Sequence, residues 1–254
     1  IMCGVAGFIN YNNSSFIGKD VLHEFISKLS HRGPDSSGLW VSDDNRIGFA
    51  HTRLSIQDLS FNGNQPMVSQ NSRYVIVFNG EIYNFLYLKK LLQNKGVIFK
   101  SSSDTEVLIE LISHFGIDSA LNKLEGMFAF GLYDLSNKFL YLVRDRIGEK
   151  PLFFGKINDN FYFSSELKAF KKYKSYLKIS TEAIKSYLSY NYIPGNLSIY
   201  ENIYKLKPGS YLKIDTNDSK IEYKIIDWWN LEKVYNYSKN NESINLNKLV
   251  DNLD

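Results

Sequence analysis

Cys3 is the chain's single cysteine. It lies directly behind Met2 in Met2-Cys3-Gly4-Val5-Ala6-Gly7-Phe8. A lone cysteine has no internal disulfide partner, so its thiol is either free for chemistry or merely structural. With Ile1 and Met2 removed, Cys3 would carry both a thiol and a free α-amine. The amine titrates at roughly 7.7–8.0 and a cysteine thiol at about 8.5. The amine can then take the thiol proton, directly or through water, as the sulfur attacks, which is the N-terminal form of an activated nucleophile. The same stretch also suits a buried strand residue followed by small and apolar neighbours. Taken alone, it favours that plainer reading.

Other residues carry a similar pair of readings. Arg53 follows a strand-like run; it is either a solvated charge or a planar fork for a substrate carboxylate. Asn79-Gly80 follows another strand. An Asn amide and a Gly N–H at one point are the two donors an oxyanion needs, and Gly lets backbone approach a ligand closely. An Asn-Gly turn explains the pair equally well. Ser103-Asp104-Thr105-Glu106 has capping-box form. Asp104 in that first turn is favoured by the helix dipole alone, or it holds a substrate ammonium. His31-Arg32-Gly33-Pro34-Asp35 reads by itself as a helix terminator and fixed loop. The four histidines stand apart with no metal-ligand spacing, so no metal is expected.

The elements that must position these residues follow from periodicity. Residues 4–9 read as an apolar strand and 11–18 as a polar turn. Leu22, Phe25, Ile26 and Leu29 predict a helix over 20–30. Strands at 37–42 and 46–51 flank the turn Ser42-Asp43-Asp44-Asn45. The clearest buried strand is 73–78. Asn84 opens a helix with Leu88, Leu91 and Leu92, stopped by Gly96. Ser103 opens another that buries Val107, Leu108, Leu111, Ile112 and Phe115, ended by Gly116. Strands are expected at 127–133, 138–143, 152–155, 160–164, 211–214 and 221–226, with short helices from 164 and over 181–190. From Asn230 the composition shifts to Asn, Ser and Lys, as in a linker. Leu246, Leu249, Val250 and Leu253 then begin a helical repeat, so the natural protein is expected to continue. Antiparallel strands flanked by helices indicate layered α+β rather than βαβ units.

At 254 residues the chain is long enough for one large domain or two small ones. Hydrophobic content of 44% and charged content of 22% fit a globular protein. A net charge of +3 is too weak to argue for nucleic acid or a membrane surface. No apolar run approaches the roughly 20 residues that cross a bilayer, and no secretory signal is visible. One cysteine suits a reducing cytoplasm.

In order and together, the motifs make the chain similar to the glutaminase half of glutamine-hydrolysing asparagine synthetases, which are class II glutamine amidotransferases. The resemblance rests on Met2-Cys3-Gly4, His31-Arg32-Gly33-Pro34-Asp35, Arg53-Leu54-Ser55-Ile56, Phe78-Asn79-Gly80-Glu81-Ile82-Tyr83-Asn84 and Ser103-Asp104-Thr105-Glu106. It continues through Glu125-Gly126-Met127-Phe128-Ala129-Phe130, Arg144-Asp145 with Gly148 and Lys150-Pro151-Leu152, and Ser165-Glu166-Leu167-Lys168-Ala169. Tyr192-Ile193-Pro194-Gly195 and Lys205-Leu206-Lys207-Pro208-Gly209 resemble the stretch that leads toward the synthetase half.

The resemblance implies an N-terminal-nucleophile hydrolase fold, two antiparallel β-sheets sandwiched between helical layers (αββα). That domain would occupy 3–212, with 213–254 a linker and the start of a C-terminal synthetase domain. It further implies that Cys3, with its own amine as base, is the nucleophile, and that the Asn79 side chain and Gly80 N–H form the oxyanion hole. Arg53 would bind the glutamine α-carboxylate, and Glu81 and Asp104 its ammonium. Leu54, Ser55, Ile56 and Gln57 would line the pocket. No cofactor is expected in this chain; ATP and Mg belong to the synthetase domain, whose Ser-Gly-Gly-x-Asp-Ser loop is not in these residues. Glutamine and that synthetase domain are the expected partners, a homodimer is an open assembly, and the expected location is cytoplasmic. Two departures stand out: the synthetase half is absent, and Ile1 precedes Met2, read as an expression remnant or a start-site artefact. Two other functions stay open on sequence. One is the same glutaminase serving another carboxylate acceptor, as in surface-polysaccharide synthesis. The other is a non-catalytic glutamine-binding module with Cys3 masked.

Overall fold

The computed structural model describes residues 2–11, 18–218 and 220–240. Ile1, most of the turn expected over 11–18, and the repeat at Leu246, Leu249, Val250 and Leu253 lie outside the described residues. The described residues form two six-stranded sheets, antiparallel at every pairing. In spatial order the first holds β10 (Ile203–Lys205), β8 (Phe153–Ile157), β9 (Asn160–Ser164), β1 (Gly4–Ile9), β3 (Ile47–Arg53) and β2 (Ser36–Val41). The second holds β12 (Tyr223–Asp227), β11 (Ser210–Asp215), β7 (Phe139–Arg144), β6 (Gly126–Asp134), β5 (Tyr74–Ile82) and β4 (Met67–Val68).

Strand alternation sorts the apolar side chains into layers. Odd positions of β1 and β3 (Val5, Ile9, Ile47, Phe49) and of β5 (Val75, Val77) meet between the sheets, with Leu140, Leu142, Phe161, Phe163, Leu212 and Ile214. The opposite face of the first sheet (Ala6, Phe8, Ala50, Tyr162) packs on α1 (Gly18–Leu29) and on a 3-10 segment, Leu167–Tyr176. The opposite face of the second (Ile76, Phe78, Phe130, Leu132) packs on α2 (Phe85–Gln93), α3 (Asp104–Phe115) and α4 (Ile117–Leu121). Helix, sheet, sheet, helix is the layering that the resemblance implies. A further helix, α5 (Thr181–Tyr190), follows the 3-10 segment.

Several boundaries differ from expectation. The strand expected to stop at 78 runs through Asn79-Gly80-Glu81 to Ile82, because β6 pairs with it down to Gly126. The sheet also continues past residue 212, through β11 and β12, to Asp227. The stretch read as linker from Asn230 contains α6 (Leu231–Asn240), whose Leu231, Val234 and Tyr235 are exposed. β10 is only three residues long and gives no alternation to read.

β4 is the element that matters most for the site. It pairs only with Ile76 and Val75, so β5 beyond Ile76 has a strand neighbour on one side alone.

Phe163 closes the layer between the sheets. Its ring packs edge-on against Phe49 at 5.7 Å, and a Cβ added at Gly131 of the opposite sheet would lie 2.8 Å from it. Phe163→Ala is expected to cost about 3–5 kcal/mol of unfolding free energy, as a fully buried Phe deletion does, measured by denaturant titration.

Candidate active site

Strand parity brings the chemistry-bearing residues to one end of the inter-sheet layer. Cys3 lies two residues before Val5, His51 and Arg53 follow Phe49, and Asn79 follows Val77. In each case the apolar members of the series fill the space between the sheets. Where the apolar series stop, the layer opens as a cavity of about 130 Å³. Of the ten site residues expected from sequence, nine line it: Cys3, Arg53, Leu54, Ile56, Gln57, Asn79, Gly80, Glu81 and Asp104. Ser55 is the exception; it is set outside the cavity wall, with its N–H donated to Asp35 Oδ2 at 2.7 Å.

Cys3 is held from two directions. Leu54 N–H donates to Sγ at 3.3 Å, and the thiol faces Leu54 O at 3.6 Å. Arg32 Nε donates to Cys3 O at 3.0 Å, and Arg32 Nη1 reaches Glu166 Oε1 at 2.8 Å. Burial pushes the Cys3 thiol up, while the Leu54 N–H and the Arg53 charge oppose that rise. The resting sulfur is therefore a thiol, and its use as a nucleophile requires a base.

Asn79 is 1% exposed, and its Nδ2 has no hydrogen-bond partner. An unpartnered buried amide is costly and is rarely left so without a use. Gly80 sits beside it. Its pairing partner Phe128 turns its own N–H and C=O away, to Asp145 Oδ2 and Asp145 N. Gly80 and Phe128 thus form a non-hydrogen-bonded pair, and the Gly80 N–H faces the open edge of β5. A side chain does not fit there: a Cβ on Gly80 would lie 2.2 Å from Met127 O and 2.7 Å from Phe128 Cα.

Arg53 is buried and bonded to the loop that follows it. Nη1 donates to Ser60 O and Asn64 Oδ1, each at 2.8 Å, and Nη2 donates to Asp58 O. A guanidinium has five N–H donors, so Nε–H and one Nη2 hydrogen remain, the pair that makes a side-on fork. Asp104 accepts from Ile82 N–H at 2.9 Å and is 6% exposed. Burial pushes its carboxyl up to about 6, with the Ile82 and Thr105 N–H groups pulling the other way. Ser103 Oγ accepts from Glu106 N–H as an N-cap, but Glu106 turns its carboxylate to Lys100 N, Ser101 N and Ser101 Oγ. Only half of the expected capping box forms. Among the described residues, no group of His, Cys, Asp and Glu is arranged to hold a metal ion, and no helix is long and apolar enough to cross a membrane.

A family model described as a glutamine amidotransferase domain matches residues 2–229. The chain belongs to this family. It is thus an enzyme domain, related over most of its length to glutamine-hydrolysing asparagine synthetases. Asparagine synthetase [glutamine-hydrolyzing] 1 of Bacillus subtilis (strain 168) is 37% identical over 225 residues, covering 88% of this chain and 35% of that protein. Putative asparagine synthetase [glutamine-hydrolyzing] 2 of Methanocaldococcus jannaschii is 34% identical over 253 residues, covering 91% of this chain and 47% of that protein. The domain therefore spans between about a third and a half of these relatives. Among solved structures, a glutamine phosphoribosylpyrophosphate amidotransferase from B. subtilis superposes with a TM-score of 0.66 at 22% identity, over 89% of this chain and 49% of that one. At that identity the likeness establishes the shared fold.

Several lining residues of this amidotransferase domain carry no signal in the sequence by themselves. Gln65, Thr105, Met127 and Lys150 all face the cavity. The motif Arg144-Asp145 with Gly148 and Lys150 is a brace. Asp145 accepts N–H bonds from Ile147, Gly148, Glu149 and Lys150, and Arg144 donates to Lys150 O, Gly148 O and Leu206 O. This loop sets Lys150 Nζ 2.8 Å from Met2 Sδ at the cavity wall. Ser165 exchanges two bonds with the backbone of Val5, at 2.9 and 3.1 Å, which fixes the start of β1.

The raised Asp104 carboxyl gives a stability prediction. Ionising it disfavours the fold, so native stability falls as pH rises from about 4, the ordinary Asp range, to about 6, and is flat above. Asp104→Asn keeps an acceptor for Ile82 without the charge. It is expected to stabilise the domain by about 2–3 kcal/mol at pH 8 and by nothing near pH 3. Thermal unfolding followed across that range measures the difference.

Proposed function

We propose that the cavity binds glutamine and hydrolyses it to glutamate and ammonia through a thioester on Cys3. The observation that carries this reading is the unpartnered Asn79 Nδ2, buried beside the Cys3 thiol's cavity and next to a strand-edge N–H at Gly80. Two convergent donors stabilise charge that develops on an amide oxygen, a role that accounts for a buried polar group left without a partner. The family match supports the same chemistry.

In this mechanism residues 1–2 are removed, so that Cys3 carries the free α-amine. The amine takes the thiol proton, and Sγ attacks the side-chain amide carbon of glutamine. Asn79 Nδ2 and Gly80 N–H receive the oxyanion. The amine returns its proton to the departing nitrogen, releasing ammonia and leaving the thioester. Water, deprotonated by the same amine, adds to the thioester carbon and frees glutamate and the thiol. The Arg53 side-on fork takes the α-carboxylate, Glu81 and Asp104 take the ammonium, and backbone from Leu54 through Gln57 lines the rest, with Ser55 behind that wall. We further infer that the ammonia passes to a C-terminal ATP-dependent synthetase domain and amidates aspartate. The relatives' greater length and their names support this; the full-length protein given aspartate, ATP and Mg is expected to form asparagine.

Cys3→Ala is expected to abolish glutamate release while leaving the thermal unfolding curve within a few degrees of the parent. Arg53→Lys keeps the charge and loses the fork. It is expected to raise the KM for glutamine about 10- to 100-fold with kcat nearly unchanged, since the carboxylate contact is the same in ground and transition states. Retained glutaminase activity in Cys3→Ala would refute the assignment.

The acid side of the pH profile tests Asp104 separately. Protonation removes the charge that faces the ammonium. The KM for glutamine should therefore rise as pH falls through about 6, approaching about tenfold per unit below it. Steady-state assays between pH 5 and 8 check this, and Asp104→Asn should flatten the dependence.

A further inference from the structure

We infer that His51 and Gln65 are positioning residues for the oxyanion hole: they clamp the C=O and N–H of Phe78, which flank its Cα on the open edge, and thereby fix Asn79 and Gly80 where β5 has no neighbouring strand. This rests on the glutaminase reading above and extends it to two residues outside the expected site.

Phe78 lies opposite Phe130 in the same non-hydrogen-bonded parity as Gly80, so its N–H and C=O also face the open edge. β4 ends two residues too early to meet them. Side chains take its place. Gln65 Oε1 accepts from Phe78 N–H at 2.6 Å, and His51 Nε2 bonds Phe78 O at 3.1 Å. Both bonds are buried. Gln65 is steadied in turn by donating from Nε2 to Thr105 Oγ1 at 3.2 Å, at the start of α3. Farther along the edge, Ile82 N–H is taken by Asp104. Along the edge, the N–H groups of Phe78 and Ile82 are occupied by side chains, and that of Gly80 between them faces the cavity.

His51 crosses from the first sheet to the second to make its bond. Phe78 O can only accept, so Nε2 carries the ring proton. Full burial pushes His51 down to about 4, so the ring stays neutral and keeps that donor throughout the neutral range. Nδ1 is then a buried acceptor with no partner. A structural apolar residue would avoid that cost, so the site retains His51 for the donor it supplies.

The test is steady-state glutaminase kinetics on the full-length protein with its N-terminus at Cys3. His51→Leu and Gln65→Leu each remove one half of the clamp. Each is expected to lower kcat about tenfold or more while KM for glutamine changes less than about threefold, because an oxyanion exists only in the transition state. His51→Gln, which offers an amide donor, should recover most of the loss. In an Asn79→Ala background, His51→Leu should add less than about twofold, since its effect travels through Asn79. Binding of the aldehyde analogue of glutamine, whose thiohemiacetal oxygen occupies the same donors, should weaken with kcat. An unchanged kcat in both Leu variants, or equal losses in the two backgrounds, overturns the clamp. An unchanged kcat in Asn79→Ala alone overturns the oxyanion-hole reading beneath it.

Discussion

A sheet edge left bare is the constraint on which the site depends. β4 pairs with two residues of β5 and stops, and six further residues of β5 run on beside β6 alone. An exposed row of backbone donors is ordinarily a liability that proteins cover or blunt. Here the row lies inside, at the mouth of the space between two sheets. It is covered selectively, by Gln65 at Phe78 and by Asp104 at Ile82. The position between them is Gly80, where the neighbouring backbone of Met127 and Phe128 leaves no room for a side chain. Chemistry and packing thus select the same residue for different reasons.

The second requirement is that Cys3 meet that edge. β1 lies in the middle of the other sheet, flanked by β3 and β9. Its start is fixed by Ser165 on one side, and Cys3 O by Arg32 on the other. Alternation along β1, β3 and β5 does the rest, because one parity of all three strands points into the shared layer. The layer is apolar until the strands reach their ends. There the series Phe49, His51, Arg53 and Val75, Val77, Asn79 turn polar together. That switch is what converts a core into a cavity.

Much of this was legible in the sequence. Short apolar runs bounded by turn residues located β1, β3 and β5, and period-3.6 runs located α1, α2 and α3. The linear motifs brought Cys3, Arg53, Asn79 and Asp104 forward as a set. Asn79-Gly80 was ambiguous for a physical reason: its residue types favour a turn, and only the facing stretch from Gly126 to Ala129 keeps it extended. His51 and Gln65 were invisible because their partner, a backbone peptide on another element, leaves no periodic trace. His51 in particular stands in an otherwise ordinary buried strand. Arg32 and Asp145 belonged to visible motifs, yet their work is to hold backbone carbonyls and amides, which pattern alone does not reveal. α6 reads as linker on composition because Asn, Ser and Lys dominate from residue 230, although Leu231, Val234 and Tyr235 stand at the i, i+3, i+4 spacing of a helix.

Arg53 joins two tasks in one side chain. Its Nη atoms gather the carbonyls and the amide of Asp58, Ser60 and Asn64, while the residue also lines the cavity. Order in that segment and affinity in that cavity are therefore thermodynamically linked, and linkage is reciprocal. Whatever immobilises residues 58–64, from any direction, pre-orients the guanidinium for an anion. An anion seated on the guanidinium stiffens the segment by the same free energy.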